Sequence, residues 1–295
     1  MSRQLIAGIE TGGTKILARI TDLNGAVVAA GRWATSTADA ALHELASFIE
    51  AEGGEGRLEA IGLAAFGPLI TDPTSPDYGL MLSTTKPGWS GSNLRADLQA
   101  RLGVSVAVDS DVNAAAIAEQ AFGAGKGLPS VAYVTVGTGI GAGLAINGKS
   151  LAGAMHPEGG HLPLIRRPDD DMPSVCQFHD DCAEGLASGP ALKRRLGEGN
   201  KLSGDPAIVE LAAQYLGQLA ASLVLAWSPH RIVWGGGAIA DAQLTPRIEE
   251  ALRAVINGYG VGPAVECPGF CAPAALKDAG LEGALMLARR QALAD

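Results

Sequence analysis

One supersecondary pattern occurs twice in this chain of 295 residues, and it constrains the fold more than any other feature. Each copy consists of a predicted strand, a glycine-rich turn, a second strand and an Asn-Gly hairpin turn. The first copy comprises residues 5–9, Glu10-Thr11-Gly12-Gly13-Thr14, residues 15–21 and Asn24-Gly25. The second copy comprises residues 130–136, Gly137-Thr138-Gly139-Ile140-Gly141, residues 143–146 and Asn147-Gly148. The repeat predicts two related α/β domains that face each other across a cleft; chance recurrence of glycine turns is the alternative.

Strands and helices alternate along the rest of the chain, which favours α/β domains. Apolar spacing predicts helices over residues 38–52, 93–102, 112–121, 206–227, 245–256 and 279–293. Apolar runs predict further strands over residues 26–30, 60–65, 104–108 and 231–234, and a long loop over 66–92. We expect a small N-terminal domain over residues 1–115, joined by the last helix at about 279–293. A larger C-terminal domain over residues 116–278 then carries a polar insertion at 156–182.

The composition narrows the class of protein. A hydrophobic share of 47% with a charged share of 18% is typical of a folded chain rather than a disordered one. The net charge of −9 and the lack of a basic block argue against a nucleic-acid groove. The sequence has no apolar run of about 18 residues and no signal peptide, so we expect a soluble cytoplasmic protein. Its four cysteines are too few for a disulfide scaffold.

The two glycine turns suit phosphate. Without Cβ atoms, backbone N–H groups can approach an anion closely, and the threonine hydroxyls add donors. Neither turn has the Walker A sequence, and neither leads into a helix as a dinucleotide-binding turn does. Two tight hairpins without a ligand are the structural alternative. A third glycine run, Gly235-Gly236-Gly237-Ala238, would admit a flat base against the backbone, or would be a plain turn from a strand to a helix.

The sequence Asp109-Ser110-Asp111-Val112-Asn113 follows an apolar strand and opens a predicted helix. Ligands of α/β proteins bind at the carboxyl ends of strands, so Asp111 is placed to accept a proton from a substrate hydroxyl. Capping of the helix by Asp109, Ser110 or Asp111 is the alternative, and both roles can coexist in this stretch.

The insertion concentrates metal-binding residue types. Three of the five histidines and two of the four cysteines lie between residues 156 and 182. The motif Cys176-x-x-His179-x-x-Cys182, with one further histidine, makes a Cys₂His₂ set that suits tetrahedral zinc. His156 and His161 compete as fourth ligand, and free cysteines with surface histidines are the alternative. Cys267 and Cys271 are interpreted as packing thiols.

Two acids flank this insertion. Glu158 precedes His161 by three residues, and Glu184 follows Cys182 by two. A zinc site here would hold both carboxylates in place, and carboxylates and imidazoles are good acceptors for the hydroxyls of a sugar. A pair of solvent-facing acids is the alternative.

Together these residues resemble the ROK family of sugar kinases along essentially the whole chain. The similar segments are Glu10-Thr11-Gly12-Gly13-Thr14-Lys15 (first phosphate motif, usually beginning with Asp), Gly137-Thr138-Gly139-Ile140-Gly141-Ala142-Gly143 (second phosphate motif), Glu158-Gly159-Gly160-His161 and Cys182-Ala183-Glu184 (sugar motifs), and Lys277-Asp278-Ala279-Gly280-Leu281-Glu282-Gly283-Ala284 (closing segment).

Within the family, the chain most resembles the bacterial fructokinases. The segments that carry this likeness are Phe66-Gly67-Pro68, Thr74-Ser75-Pro76-Asp77-Tyr78-Gly79, Ser83-Thr84-Thr85-Lys86-Pro87-Gly88-Trp89 and His156-Pro157-Glu158. Cys176-x-x-His179-x-x-Cys182 replaces the three-cysteine pattern typical of glucokinases. Ser110 stands where their asparagine would touch the sugar, so the resemblance favours fructose over glucose.

The resemblance implies the actin-like ATPase fold, in which two ribonuclease-H-like α/β domains surround a central cleft. It implies ATP-dependent phosphorylation of a hexose, most simply fructose to fructose 6-phosphate, with Asp111 as the catalytic base, ATP with Mg²⁺ as the donor and a structural Zn²⁺. The implied zinc ligands are His161, Cys176, His179 and Cys182. The implied sugar contacts are Glu158, His161, Glu184, Gly67 and Pro68. The implied ATP contacts are Gly12, Gly13, Thr14, Lys15, Gly137, Thr138, Gly139, Gly236 and Ala238.

Two alternatives to fructokinase activity stay open. A kinase for another hexose, such as mannose or glucose, is the first, since epimers differ by one hydroxyl. A non-catalytic sugar-binding regulator is the second, although Asp111 and both glycine turns argue against it. Repressors of the family carry an N-terminal helix-turn-helix segment, whereas the first strand here begins by Leu5. The resemblance further implies a homodimer without nucleic-acid or membrane partners.

Overall fold

The computed structural model describes residues 3–54, 56–239 and 244–294. Contacts divide the chain into two compact units. The first unit comprises the residues up to Ala118, the segment Ser150–His156 and the residues from Asp278 onward. The second comprises Glu119–Lys149 and Pro157–Lys277. Inclusion of residues 150–156 in the first unit differs from the predicted division, which placed them with the C-terminal domain.

The described residues form the following elements. The strands are β1 (Gln4–Thr11), β2 (Lys15–Asp22), β3 (Val27–Ala34), β4 (Arg57–Ala65), β5 (Ser105–Ser110), β6 (Ser130–Val136), β7 (Ile140–Ile146), β8 (Lys149–Ser150), β9 (Ile232–Gly235) and β10 (Cys271–Pro273). The α-helices are α1 (Ala38–Glu52), α2 (Leu94–Leu102), α3 (Asp111–Phe122), α4 (Ala183–Ala187), α5 (Gly189–Leu196), α6 (Pro206–Trp227), α7 (Leu244–Ile256) and α8 (Ala279–Ala294).

The sheet of the first unit has the strand order β3-β2-β1-β4-β5. Strands β1, β2 and β3 form an antiparallel meander, and β4 and β5 continue parallel to β1. Side chains alternate between the two faces of a strand, so Leu63 of β4 joins the core that includes Leu45 of α1, while Ala64 packs with Ala284 of α8. Helices therefore cover both faces of this sheet.

The sheet of the second unit has the strand order β10-β9-β6-β7-β8. Here β6 and β7 are antiparallel, and β9 and β10 continue parallel to β6 on its other side. When each sheet is numbered from its own first strand, the two orders are identical. The repeat found in the sequence is therefore a repeat of topology, as the prediction of two related α/β domains required.

Helix α6 is the longest element among the described residues. It begins at Pro206 because Asp205 accepts hydrogen bonds from the N–H groups of Ala207 and Ile208, and proline is suited to the first helical turn. Its length and hydropathy would suffice to cross a membrane, but 61% of its most apolar window is buried inside the protein. Helix α6 packs against α7, and we interpret it as a core helix.

Candidate active site

Three connections leave the first sheet at the same edge. Thr11 of β1 pairs with Ala65 of β4, and Ala65 pairs with Ser110 of β5. The residues that follow are Gly12-Gly13-Thr14 (the first glycine turn), Phe66-Gly67-Pro68 and Asp111. Because neighbouring strands lie about 4.8 Å apart, two strand spacings put Asp111 about 10 Å from the first glycine turn. Strand pairing thus gathers three segments that are distant in the sequence.

The first glycine turn joins β1 to β2 and presents open backbone donors. The N–H of Gly12 donates to the carbonyl of Lys15 at 2.9 Å, which closes the turn. Thr35, the residue after β3, supports the turn, since its Oγ1 donates to the Gly12 carbonyl at 2.6 Å and its N–H to the Thr14 carbonyl at 3.1 Å. Within the described part of the chain, the N–H groups of Gly13 and Thr14 have no acceptor. Such donors suit an anion.

Charged residues under this turn are tied to the C-terminal helix. Lys15 Nζ lies 3.5 Å from a carboxylate oxygen of Asp278. Glu10 Oε2 accepts a hydrogen bond of 3.0 Å from the N–H of Leu281, in the first turn of α8. Burial raises the pKa of Glu10, and Lys15 opposes that rise. Glu10, which stands where the family usually has Asp, therefore caps α8 in this structure.

The two aspartates near the start of α3 have different surroundings. Asp109 is buried, and its carboxylate accepts hydrogen bonds from Ser110 N at 2.7 Å, Asn113 Nδ2 at 2.8 Å and Ser150 Oγ at 2.6 Å. Burial raises the pKa of Asp109, although the hydrogen bonds oppose that rise. These three donors commit Asp109 to holding the strand end, the helix and residue 150 together.

Asp111 is the first residue of α3 and is half-buried. Ser110 Oγ accepts a hydrogen bond of 3.2 Å from Asn113 N, so Ser110 supplies the N-cap. Asp111 Oδ1 accepts from the N–H of Val112 at 2.8 Å. The capping role left open by the sequence thus falls to Ser110, and Asp111 lies beside it at the sheet edge.

His156 lies in the first unit, beside the Gly67-Pro68 segment. Its buried Nε2 accepts a hydrogen bond of 3.3 Å from the N–H of Leu69. The Pro68 carbonyl accepts a hydrogen bond of 2.8 Å from Leu82 N, which folds the long loop back on itself. The position of His156 leaves His161 as the histidine that groups with the cysteines.

The second glycine turn, Gly137-Thr138-Gly139, joins β6 to β7 in the second unit. Gly137 N donates to the Gly139 carbonyl at 2.9 Å, and within the described residues the N–H groups of Thr138 and Gly139 have no acceptor. Gly189 N donates to the Gly137 carbonyl at 2.8 Å. The second turn therefore offers the same kind of open donors as the first.

The glycine run Gly235-Gly236-Gly237-Ala238, at the end of β9, lies against the end of β6, just before the second glycine turn. Ala238 N donates to the Val136 carbonyl at 3.0 Å. Gly236 has a φ of +90°, and a Cβ added there would lie 2.4 Å from that carbonyl oxygen, so only glycine fits. The predicted ATP-binding residues Gly236 and Ala238 are thus brought next to the second glycine turn.

His161, Cys176, His179 and Cys182 come together in the second unit, with their ligand atoms all within 4.8 Å of one another. Cys176 Sγ lies 3.8 Å from His161 Nδ1 and 3.6 Å from His179 Nδ1, and Cys182 Sγ lies 3.7 Å from His161 Nδ1. Tetrahedral zinc with ordinary bond lengths places neighbouring ligand atoms about 3.3–3.8 Å apart. The donor set and its spacing therefore fit Zn²⁺.

A buried ion pair anchors the insertion that carries these ligands. The carboxylate of Asp170 accepts hydrogen bonds from Arg195 of α5 at 2.6 and 2.8 Å and from the hydroxyl of Tyr215 of α6 at 2.6 Å. Burial alone would raise the pKa of Asp170, but the hydrogen bonds from Arg195 and Tyr215 lower it to about 2. The charged pair fixes an otherwise irregular segment to the helices.

Glu158 and Glu184 lie near each other in the second unit. Glu184 Oε2 accepts a hydrogen bond of 3.0 Å from Ile140 N, which places this carboxylate against the second glycine turn. Burial and the charge of Glu184 raise the pKa of Glu158 to about 7. A Cβ added to Gly160 would lie 1.7 Å from the Ile140 carbonyl oxygen, so glycine there lets the sugar motif pack onto β7.

Sequence reasoning missed the roles of Lys86 and Ser150 in this region. Lys86 Nζ donates to the carbonyl of Gly13, and Ser150 Oγ donates to Asp109. Lys86 belongs to the segment 83–89 that carries the fructokinase likeness, which was the one available signal. Its contact with residue 13 depends on how the long loop folds, and no local pattern encodes that.

Exchange of Glu158 for Gln tests the cost of its buried charge. A raised pKa means that Glu158 contributes stability fully below its ordinary value of 4.5 and loses that contribution as the pH rises through about 7. We therefore expect the free energy of unfolding of the wild type, relative to Glu158→Gln, to fall across that range. Urea denaturation at a series of pH values measures this difference in free energy of unfolding, with the exposed Glu52→Gln as the control. A difference that does not change with pH would contradict the prediction.

Comparisons with known proteins agree with this geometry. The ROK family matches residues 6–291. The fructokinase of Pediococcus pentosaceus is 34% identical over 287 residues, which span 97% of this chain and 98% of that protein. The fructokinase of Zymomonas mobilis is 35% identical over 294 residues and 97% of each chain.

Solved structures agree as well. A ROK hexokinase from Thermus thermophilus matches with a TM-score of 0.77 and 31% identity, over 99% of this chain and 100% of its own. A ROK family glucokinase from Streptomyces griseus, solved in complex with glucose and AMPPNP, matches with a TM-score of 0.73 and 27% identity, over 97% and 99% of the two chains. These matches confirm the predicted actin-like ATPase fold class. The chain belongs to the ROK family.

Proposed function

We propose that this protein is an ATP-dependent sugar kinase that converts fructose to fructose 6-phosphate. One observation carries the chemistry: strand register brings a turn with open N–H donors and the half-buried Asp111 to the same sheet edge. The sugar is assigned from the relatives called fructokinase, which align over nearly the whole chain.

Asp111 acts as the general base in this proposal. Its carboxylate takes the proton of the primary hydroxyl as that oxygen attacks the γ-phosphorus of ATP in line. The open N–H groups of both glycine turns donate to phosphate oxygens, and Mg²⁺ bound with ATP offsets their charge. Most of the acceleration then comes from positioning and electrostatics rather than from a covalent intermediate.

The proposed nucleotide contacts are the glycine turns and the residues that follow β9. The phosphate contacts are Gly12, Gly13, Thr14, Lys15, Gly137, Thr138 and Gly139, and the base lies near Gly236 and Ala238. Lys15 contributes mainly through its backbone, because its ammonium lies beside Asp278.

The proposed sugar contacts are Glu158, His161 and Glu184, with Gly67 and Pro68. His161 can serve the metal and the sugar at once, since it is Nδ1 that faces the two sulfur atoms. Binding of zinc through Nδ1 would leave Nε2 to donate a hydrogen bond to a sugar hydroxyl. The metal would be structural, because four protein ligands leave no position for a catalytic water.

We further propose that the protein forms a homodimer and is located in the cytoplasm. Both features are usual in the family that the sequence resembles, and neither enters the chemistry above.

A panel of hexoses tests the function. We expect the highest kcat/KM for fructose, with mannose and glucose lower, in an assay that couples ADP release to a dye or to NADH. A higher kcat/KM for mannose or glucose would replace fructose as the substrate. Absence of ADP release with every hexose would contradict the kinase assignment itself and favour the sugar-binding regulator.

Exchange of Asp111 for Asn tests the base. Asparagine has nearly the same shape but cannot take the proton, so we expect kcat to fall roughly 10²–10⁴-fold, with an unchanged melting temperature. Steady-state kinetics on pure protein measures this, with Asp97→Asn on the exposed surface of α2 as the matched control. Turnover of Asp111→Asn close to that of the control would rule out Asp111 as the base.

Exchange of Cys176 for Ala tests the metal. The variant loses one of four ligands, so we expect it to lose zinc and to show a raised KM for the sugar, because Glu158 and Glu184 lose their support. Elemental analysis and kinetics measure both effects, and Cys267→Ala, an exposed thiol outside the cluster, is the control. Freshly purified wild type without zinc would end this part of the proposal.

A further inference from the structure

The segment 83–89, which we call the lysine loop, folds onto the first glycine turn. Lys86 Nζ donates a hydrogen bond to the Gly13 carbonyl. At the far end of the loop, Trp89 Nε1 donates to the Ser36 carbonyl at 2.6 Å, and the Gly88 carbonyl accepts from Ala38 N at 3.3 Å. The lysine loop is thus attached both to the turn and to the start of α1.

The platform under Lys86 is well supported. Trp89 is 1% exposed and packs edge-to-face against Phe66, with ring centroids 4.7 Å apart. Trp89 N donates to the Lys86 carbonyl at 3.3 Å, and Thr84 N donates to Ser90 Oγ at 3.0 Å. The backbone that carries Lys86 is therefore held in place before any ligand arrives, which is what a site that orients a ligand requires.

The charge of Lys86 has no opposite charge beside it among the described residues. In the described ranges it has no carboxylate partner, and the group it contacts, the Gly13 carbonyl, is neutral. Lys15, which directly follows the turn, is paired with Asp278. An ammonium has three donors, so Lys86 retains two beyond its bond to Gly13. The N–H groups of Gly13 and Thr14, which have no acceptor among the described residues, belong to the turn that Lys86 contacts.

We propose that Lys86 is a catalytic residue that binds the γ-phosphoryl group of ATP, a role that rests on the proposed kinase function. In the transfer, the bond from the sugar oxygen to phosphorus forms as the bond from phosphorus to the β–γ bridging oxygen breaks. ADP leaves with the electron pair, and the hydroxyl proton passes to Asp111. The Lys86 ammonium stabilises the negative charge on the moving phosphoryl oxygens.

AMPPNP carries the γ-phosphoryl group that Lys86 is proposed to bind, and ADP lacks it. Their affinities, measured by calorimetry with Mg²⁺ on the whole protein, therefore isolate the contact. We expect Lys86→Met to weaken AMPPNP binding by at least about tenfold and to change ADP binding little, as suits one charged hydrogen bond. We expect kcat to fall with AMPPNP affinity, and Lys86→Arg to restore part of both.

The controls separate this role from an anchoring one. Lys126→Met removes an exposed lysine from the second unit and should change neither affinity. Equal loss of AMPPNP and ADP binding in Lys86→Met would mean that Lys86 only holds the loop, and a change confined to the KM for fructose would make it a sugar ligand; either result overturns the proposal. A wild type that phosphorylates no hexose would contradict the proposed function. The role of Lys86 would still be decided, because the affinities for AMPPNP and ADP are measured without turnover.

Discussion

In-register pairing of β1, β4 and β5 is the constraint on which the first unit's chemistry depends. Thr11, Ala65 and Ser110 are the last residues of three strands that lie side by side, and each is followed by a segment with a proposed role in binding or catalysis. A shift of one residue in either pairing would turn the strand's side chains to the opposite face and displace its connection. Backbone hydrogen bonds thus set the separation of Asp111 from the first glycine turn more firmly than a loop could.

The two aspartates at the end of β5 have different surroundings, and only Asp111 has a proposed chemical role. Asp109 has three protein donors within 2.8 Å, so it has little left to offer a ligand. Asp111 begins the helix that Ser110 caps. The sequence left both residues as candidates for either role, because two carboxylates separated by one residue look alike until burial is known. The three donors to Asp109 come together only in the folded chain.

Local sequence patterns were sufficient to predict the long helices but not the short strands. The sequence predicted α1 and α6 with the boundaries observed, since each has a capping side chain, Thr37 or Asp205, and a long apolar stripe. It did not predict β10, which has three residues and is defined only by pairing with β9. The Cys/His grouping was anticipated from spacing, whereas the contact between Lys86 and Gly13 joins residues 73 positions apart and has no local signal.

The link between Glu10 and Leu281 has a consequence for how the chain reaches its native state. These residues are 271 positions apart in the sequence, and the helix that begins at Ala279 covers one face of the first sheet. During synthesis the N-terminal strands emerge first but lack that covering helix, whereas the intervening second unit has all its segments available earlier. The unit whose strands are made first is therefore the one completed last, once the segment from Asp278 has been made.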